Sequence, residues 1–77
     1  MIEEKNLIGT RIKKARKDAG INQQALAEAL GLYQKDISRW ERGEITPRLE
    51  VFAEICKALN VSADELLGIK DTKQTSE

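Results

Sequence analysis

The sequence is poor in the residue types that most often build catalytic and metal-binding sites. Its 77 residues include no histidine, one cysteine and one proline, and one residue each of tryptophan, tyrosine and phenylalanine. Histidine is a common general base and metal ligand, and the chain also lacks a glycine-rich phosphate loop and any metal-ligand spacing. A chain of this length has little room for a substrate pocket. We therefore expect no enzyme, and no metal, cofactor or small-molecule ligand.

Long apolar runs and paired cysteines are also missing. Cys56 has no second cysteine with which to form an internal disulfide, which fits a reducing compartment such as the cytoplasm. No apolar run approaches the roughly 18–20 residues of a membrane span, and the acidic start MIEEKN is unlike a secretory signal. We expect a cytoplasmic protein with one small domain over residues 1–69. The polar residues 70–77 are expected to form a disordered tail.

The chain has no excess of either charge, with 13 basic and 13 acidic residues. A neutral total argues mildly against nucleic-acid binding, for which a basic domain is the simplest signal. The charges are nevertheless unevenly placed, and a neutral total can hide one basic face. The basic side chains of the N-terminal part are Lys5, Arg11, Lys13, Lys14, Arg16 and Lys17.

The stretch from Ile21 to Gly43, INQQALAEALGLYQKDISRWERG, is typical of two short helices joined by a glycine turn. Asn22 is a suitable N-cap for a helix over Gln23–Leu30, which carries apolar residues at helical spacing. Gly31 suits the left-handed conformation that ends a helix. The second helix is predicted over Gln34–Arg42.

The second helix separates large apolar residues from long polar ones. At roughly 100° per residue, Tyr33, Ile37 and Trp40 fall on one side and are expected to face the core. Lys and Arg neutralise phosphates, Arg can read guanine, and Gln can read adenine in the major groove. The same pattern would also suit an ordinary solvated helix face. The residues on the polar side are Gln34, Lys35, Ser38, Arg39 and Arg42.

These motifs resemble the Cro and phage-repressor-like helix-turn-helix family, also called the xenobiotic-response-element family. The resemblance rests on QQALA at residues 23–27, on Gly31, and on ISRWERG at residues 37–43. It extends from about Ile8 to Leu67. It implies an all-α, compact five-helix, lambda-repressor-like DNA-binding domain, which usually acts as a homodimer on a near-palindromic operator.

The hypothesis that follows is a transcriptional regulator that binds double-stranded DNA through the helix at about residues 34–42. Gln34, Lys35, Ser38 and Arg39 are the candidate base contacts. Arg42, at the far end of the helix, is a candidate phosphate contact. Lys14 lies off the apolar stripe of the first helix, so it serves either solubility or phosphate binding.

The resemblance also implies roles for three residues outside the polar face or at its edge. Gln23 would contact phosphate and brace Gln34. Arg16 would pair with Glu41, which ties the first helix to the back of the second motif helix. Such a half-buried charge is costly unless it is paired.

Asp36 has two open roles. Tyr33, which opens the second motif helix, cannot cap it as a serine or threonine would, and Asp36 could bond back to the Tyr33 amide instead. Alternatively, its carboxylate could accept a hydrogen bond from a cytosine amino group.

The remaining segments predict three more helices. The first covers about residues 6–18. The fourth begins near Pro47, with Thr46 as a possible cap. Val51 and Ile55 form a second apolar edge on it, suited either to the core or to a partner surface. Asn60 ends this helix, and the residues from Ser62 to Glu65 form a capping box for a last short helix that Gly68 closes.

The predicted core and partner surfaces follow from these helices. A homodimer patch is expected near Val61, Ala63 and Leu66, because the motif helices must stay accessible to DNA. The alternative function is a protein-interaction module or antitoxin-like regulator, which would bind a protein partner through Val51, Ile55 or the surface from Ala63 to Leu66. The predicted core consists of Ile8, Ile12, Leu26, Leu30, Ile37, Trp40, Leu49, Phe52, Leu59 and Leu66.

Overall fold

The computed structural model describes residues 7–69, and this part of the chain contains five α-helices and no strand. Residues 1–6 and the predicted disordered tail of residues 70–77 lie outside the described residues. The all-α, five-helix prediction is confirmed. No helix within residues 7–69 is both long and apolar enough to cross a membrane. The helices are α1 (Leu7–Asp18), α2 (Gln23–Leu30), α3 (Gln34–Glu41), α4 (Leu49–Leu59) and α5 (Ala63–Leu67).

The turn between α2 and α3 forms as the sequence predicts. The Asn22 side-chain oxygen accepts the Ala25 amide at 2.8 Å and caps α2. Gly31 ends the helix with φ at 72°, a conformation that costs glycine little. These two residues fix where α2 starts and stops, and so where α3 begins.

The core lies where α1, α2 and α3 meet α4 and α5. Ile12 contributes from α1, Leu26 from α2, Ile37 from α3 and Ile55 from α4, and all four side chains are fully buried. Ile8 and Leu30 are half-buried against this cluster. Complete burial of an aliphatic side chain contributes roughly 1.5–3 kcal/mol, so these contacts hold the five helices together. The other buried core residues are Ala27, Trp40, Phe52, Leu59 and Leu66.

Two predicted core residues are on the surface. Leu49 is 80% exposed, because it is the first residue of α4 and no helix of the described chain covers that turn. The buried stripe of α4 runs instead through Phe52, Ile55 and Leu59, so Ile55 belongs to the core and not to a partner surface. Tyr33 is 72% exposed, because its backbone is extended (φ −105°, ψ 151°) and helical spacing does not apply to it.

The start of α4 also differs from the prediction. Thr46 does not cap the helix, and Pro47 does not lie in its first turn. The connector stays extended through Arg48, which occupies the N-cap position without a side-chain cap hydrogen bond. Pro47 is buried in that connector. Asn60 ends α4 as predicted, in the left-handed conformation (φ 58°). The Ser62 hydroxyl accepts the Glu65 amide at 3.1 Å, which is one of the two hydrogen bonds of the predicted capping box.

A close backbone approach joins α1 to α3. Gly9 is buried, and a Cβ atom built on it would lie 2.0 Å from the Trp40 carbonyl oxygen. Only glycine lets the two helices come this close without moving one of them. Gly9 therefore sets the position of the C-terminal end of α3 relative to α1.

Candidate nucleic-acid interface

The polar face of α3 is presented to solvent by burial of its opposite face. Ile37 and Trp40 anchor the helix in the core. Gln34, Lys35 and Arg39 are exposed, and they project from the side that the core does not cover. Ser38, which is half-buried, and Arg42, which is exposed, complete this face. The structure thus brings the four predicted base-contacting residues and Arg42 onto one surface.

Asp36 performs one of the two roles that the sequence leaves open. Its Oδ2 atom accepts the backbone N–H of Tyr33 at 3.1 Å. The Tyr33 side chain makes no cap hydrogen bond, so this contact supplies an acceptor at the N-terminus of α3. The carboxylate also sits where the helix dipole favours negative charge.

Arg42 already has partners at the end of α3. Its Nε donates to Glu44 Oε2 at 2.8 Å, and its Nη1 donates to the Ser38 hydroxyl. The hydrogen bond between Arg42 and Glu44 lowers the pKa of the Glu44 carboxyl and raises the pKa of Arg42. Glu44 was not a predicted site residue, and its position two residues after Arg42 is the signal that could have found it.

A buried ion pair fixes α3 to α1. Arg16 Nε lies 2.7 Å from Glu41 Oε2, Arg16 Nη2 donates to Glu41 Oε1 at 3.1 Å, and the two side chains are only 8% and 3% exposed. Arg16 Nη1 also donates to the Ile21 carbonyl at 2.9 Å. The hydrogen bonds that the Arg16 guanidinium donates to the Glu41 carboxylate raise the pKa of Arg16. This two-point pairing holds the back of α3 in one orientation.

Gln23 connects this ion pair to the polar face of α3. Its Nε2 donates to Glu41 Oε1 at 2.9 Å, and its Oε1 accepts Gln34 Nε2 at 3.1 Å. The contact with Gln34 matches the bracing role that the family resemblance implies. The contact with Glu41 was not predicted, because sequence spacing alone does not bring residues of α2 and α3 together.

Lys14 does not join this surface. It lies two positions before Arg16, which puts it about 200° away around α1. Its Nζ pairs with Asp18 Oδ2 at 2.9 Å. It lines a cleft beside Val61 and Glu65, on the side of α1 that faces α5. The structure therefore separates Lys14 from the other predicted DNA-contacting residues.

A shallow apolar groove lies between the start of α4 and α5. It has a volume of about 470 Å³, and Leu49 and Leu67 at its edges are exposed. Leu66, predicted as part of a dimer patch, is only 2% exposed, so its side chain belongs to the core. Ala63 of that patch is exposed and lines the groove, whereas Val61 lines the cleft on the α1 side. The other lining residues are Ile8, Thr46, Pro47, Phe52, Ala53 and Cys56.

Comparisons with known proteins agree with this architecture. The helix-turn-helix family model matches residues 12–66. Repressor protein C2 of Salmonella phage P22 is 43% identical over 70 residues, which cover 91% of this chain and 32% of that protein. The HTH-type transcriptional regulator ImmR of Bacillus subtilis is 33% identical, over 91% of this chain and 55% of that protein. The chain thus spans about a third to a half of the length of these two relatives.

A solved structure also matches this chain in its fold. The P22 c2 repressor protein, in complex with a synthetic operator, superposes with a TM-score of 0.77 at 41% identity. The match covers 83% of this chain and 97% of that one. The motif residues, the five-helix fold and these matches agree, and the chain belongs to the Cro and phage-repressor-like helix-turn-helix family.

Proposed function

We propose that this chain binds double-stranded DNA sequence-specifically and regulates transcription, with α3 in the major groove. The observation that carries the proposal is the division of α3 into two faces. Ile37 and Trp40 are buried, and the opposite side presents two amide or hydroxyl groups and three cations to solvent. A short helix held in this way by a preceding helix and a tight turn suits insertion into the major groove. The operator bound by the P22 c2 repressor supports the same use of this domain.

The proposed roles follow from position on α3. Arg39, in the middle of the face, has a planar fork that can bond guanine at two points. Gln34, braced by Gln23, is placed to read a neighbouring base, and Lys35 and Ser38 complete the base-reading set. We assign phosphate contacts to Arg42 and Gln23, which lie at the edges of the face.

Binding by the wild-type chain tests this function. DNA fragments, including the region upstream of the gene, are titrated with the protein at several salt concentrations in the presence of random competitor DNA. The proposal predicts affinity that falls steeply with salt and, on a subset of fragments, resists the competitor. Equal displacement from all fragments would contradict sequence-specific binding.

Glu44 is expected to weaken DNA binding. Its carboxylate pairs with the Arg42 guanidinium, to which we assign a phosphate contact, and so competes with the phosphate. Glu44→Gln removes this competing charge, so we predict affinity a few-fold higher on specific and random DNA alike, with a gain that shrinks as salt rises. Titrations of both duplexes measure the effect. Glu54→Gln is the matched control, because Glu54 makes a similar exposed pair with Lys57 on α4, away from α3. Unchanged or weaker binding by Glu44→Gln would contradict the assignment.

We further propose a homodimer. One recognition helix reads only a few base pairs, whereas a two-fold dimer places two such helices about 34 Å apart, one turn of DNA. The groove edged by Leu49 and Leu67 is the surface we assign to self-association, with Ala63 as the part of the predicted patch that it includes. An 80% exposed leucine at its edge supports this choice, since the monomer fold does not use that side chain.

Leu49→Glu tests the dimer surface. The charge should weaken self-association measured by sedimentation, because it must be desolvated in an apolar contact. The free energy of unfolding of the monomer should stay within about 0.5 kcal/mol of the wild-type value, since Leu49 is exposed. Ala58→Glu adds the same single negative charge at another exposed position of α4 and controls for the change in charge. A wild-type chain that stays monomeric both alone and on DNA would refute the dimer and favour a protein partner for this groove.

A further inference from the structure

We propose that Glu41 is a positioning residue for base reading, because it fixes through Gln23 which groups Gln34 presents to DNA. This inference rests on the proposed function and concerns the same face of α3. The proposal is based on a series of three hydrogen-bonded side chains, which runs from the buried Glu41 side chain through the half-buried Gln23 to the exposed Gln34.

This series of hydrogen bonds begins at the Glu41 carboxylate, which can only accept hydrogen bonds. A carboxylate paired with a guanidinium has no proton to donate. Both Glu41 oxygens receive hydrogen bonds from Arg16, and Oε1 also receives Gln23 Nε2 at 2.9 Å. The amide of Gln23 must therefore turn its NH₂ group towards Glu41.

This requirement passes to the next amide. With its NH₂ group turned towards Glu41, Gln23 turns its oxygen towards Gln34, and Gln34 must donate. The second N–H of Gln23 is left for the proposed phosphate contact. Two glutamines alone could bond in either order, because an amide rotated by 180° exchanges its donor and acceptor. The buried carboxylate at one end removes that ambiguity.

The order determines what remains on Gln34 for DNA. One of its N–H groups is used by Gln23, so one N–H and the carbonyl oxygen remain to contact a base. Adenine offers one acceptor, N7, and one donor, the N6 amino group, which match this pair. With the order reversed, the Gln34 oxygen would accept from Gln23 and both N–H groups would remain. That arrangement would suit guanine, whose N7 and O6 are both acceptors. Glu41 thus biases Gln34 towards adenine.

The experiment combines a DNA readout with one that needs no DNA. In Glu41→Gln, the neutral amide can donate or accept, so the order is no longer imposed. We expect preference for adenine over guanine at the Gln34 base pair to fall by about tenfold, the scale of one two-point contact. Gln23→Leu, which keeps the Arg16–Glu41 pair, should lose the same preference. Arg16→Lys is the matched control, because it alters the ion pair but keeps the carboxylate, and it should retain the preference.

The second readout is the NMR spectrum of the side-chain amides in the DNA-free protein. Hydrogen-bonded, slowly exchanging Gln23 and Gln34 amide protons are expected in the wild type and in Arg16→Lys. In Glu41→Gln, both should exchange faster. Freely exchanging amides in the wild type would overturn the proposal whatever the DNA results. Ordered amides with unchanged base preference in both Glu41→Gln and Gln23→Leu would overturn it too. Ordered amides in a wild type that binds no DNA would refute the proposed function, and with it the role of this chain in base reading.

Discussion

Glu41→Ala is expected to lower the free energy of unfolding by about 3–5 kcal/mol. The substitution leaves the Arg16 guanidinium buried without its carboxylate, and it removes the acceptor of the Gln23 amide. Arg16→Ala should cost a similar amount, because it leaves the Glu41 carboxylate unpaired at 3% exposure. A domain of this length has a total stability of about 4–12 kcal/mol, so either variant is close to unfolding.

A double-mutant cycle measured by urea unfolding tests this interaction. Arg16→Ala with Glu41→Ala should cost clearly less than the sum of the single changes, since the double variant leaves neither charge unpaired. The exposed Lys14–Asp18 pair is the control, and Lys14→Ala should change stability little. Additive losses for Arg16 and Glu41 would show that the two side chains do not stabilise one another.

Trp40→Ala is expected to destabilise the domain by about 3–5 kcal/mol. Trp40 is almost fully buried in the core, and the substitution would leave a cavity beneath α3 that a small domain can fill only by rearranging. The recognition helix would lose one of its two anchors, so DNA binding should weaken together with stability.

Urea unfolding followed by far-ultraviolet circular dichroism measures this loss, since the variant has no tryptophan fluorescence. Tyr33→Ala is the control, because it removes an aromatic side chain from the same part of the chain. Tyr33 is 72% exposed. That control should change stability by no more than about 0.5 kcal/mol. A loss for Trp40→Ala as small as the one expected for the control would mean that Trp40 is not a core residue.

Local sequence signals predicted the motif well. Asn22 and Gly31 each specify a backbone geometry through their own chemistry, so the ends of α2 could be assigned without knowledge of the fold. Ile37 and Trp40 are three residues apart within one helix, and the burial of both follows from helical spacing. The polar face of α3 follows from the same geometry, because it is the side left after the core is filled.

The sequence predictions fail at positions where contacts between helices determine which side chains are buried or paired. α4 carries two adjacent apolar edges, and only packing against the other helices selects Ile55 over Cys56 for full burial. Leu49 has the right spacing for the core but lies beyond the elements that could cover it. Helical spacing puts Tyr33 on the core side, although it is the extended residue before α3. The contacts from Gln23 to Glu41 and from Arg42 to Glu44 join side chains across a turn or a loop, where periodicity gives no signal.

Selection of binding sites from a random-sequence DNA pool, with the wild type and Arg39→Ala side by side, tests base reading by α3 most directly. The wild type is predicted to enrich a short motif repeated in inverted orientation, with half-sites about one helical turn apart. Arg39→Ala should enrich the same motif but lose preference at one base pair per half-site, a loss of about 1–3 kcal/mol in discrimination. Lys57→Ala, which removes an exposed cation from α4, should leave the motif unchanged. Failure of the wild type to enrich any motif, or identical motifs from the wild type and Arg39→Ala, would contradict the assignment of this face to base reading.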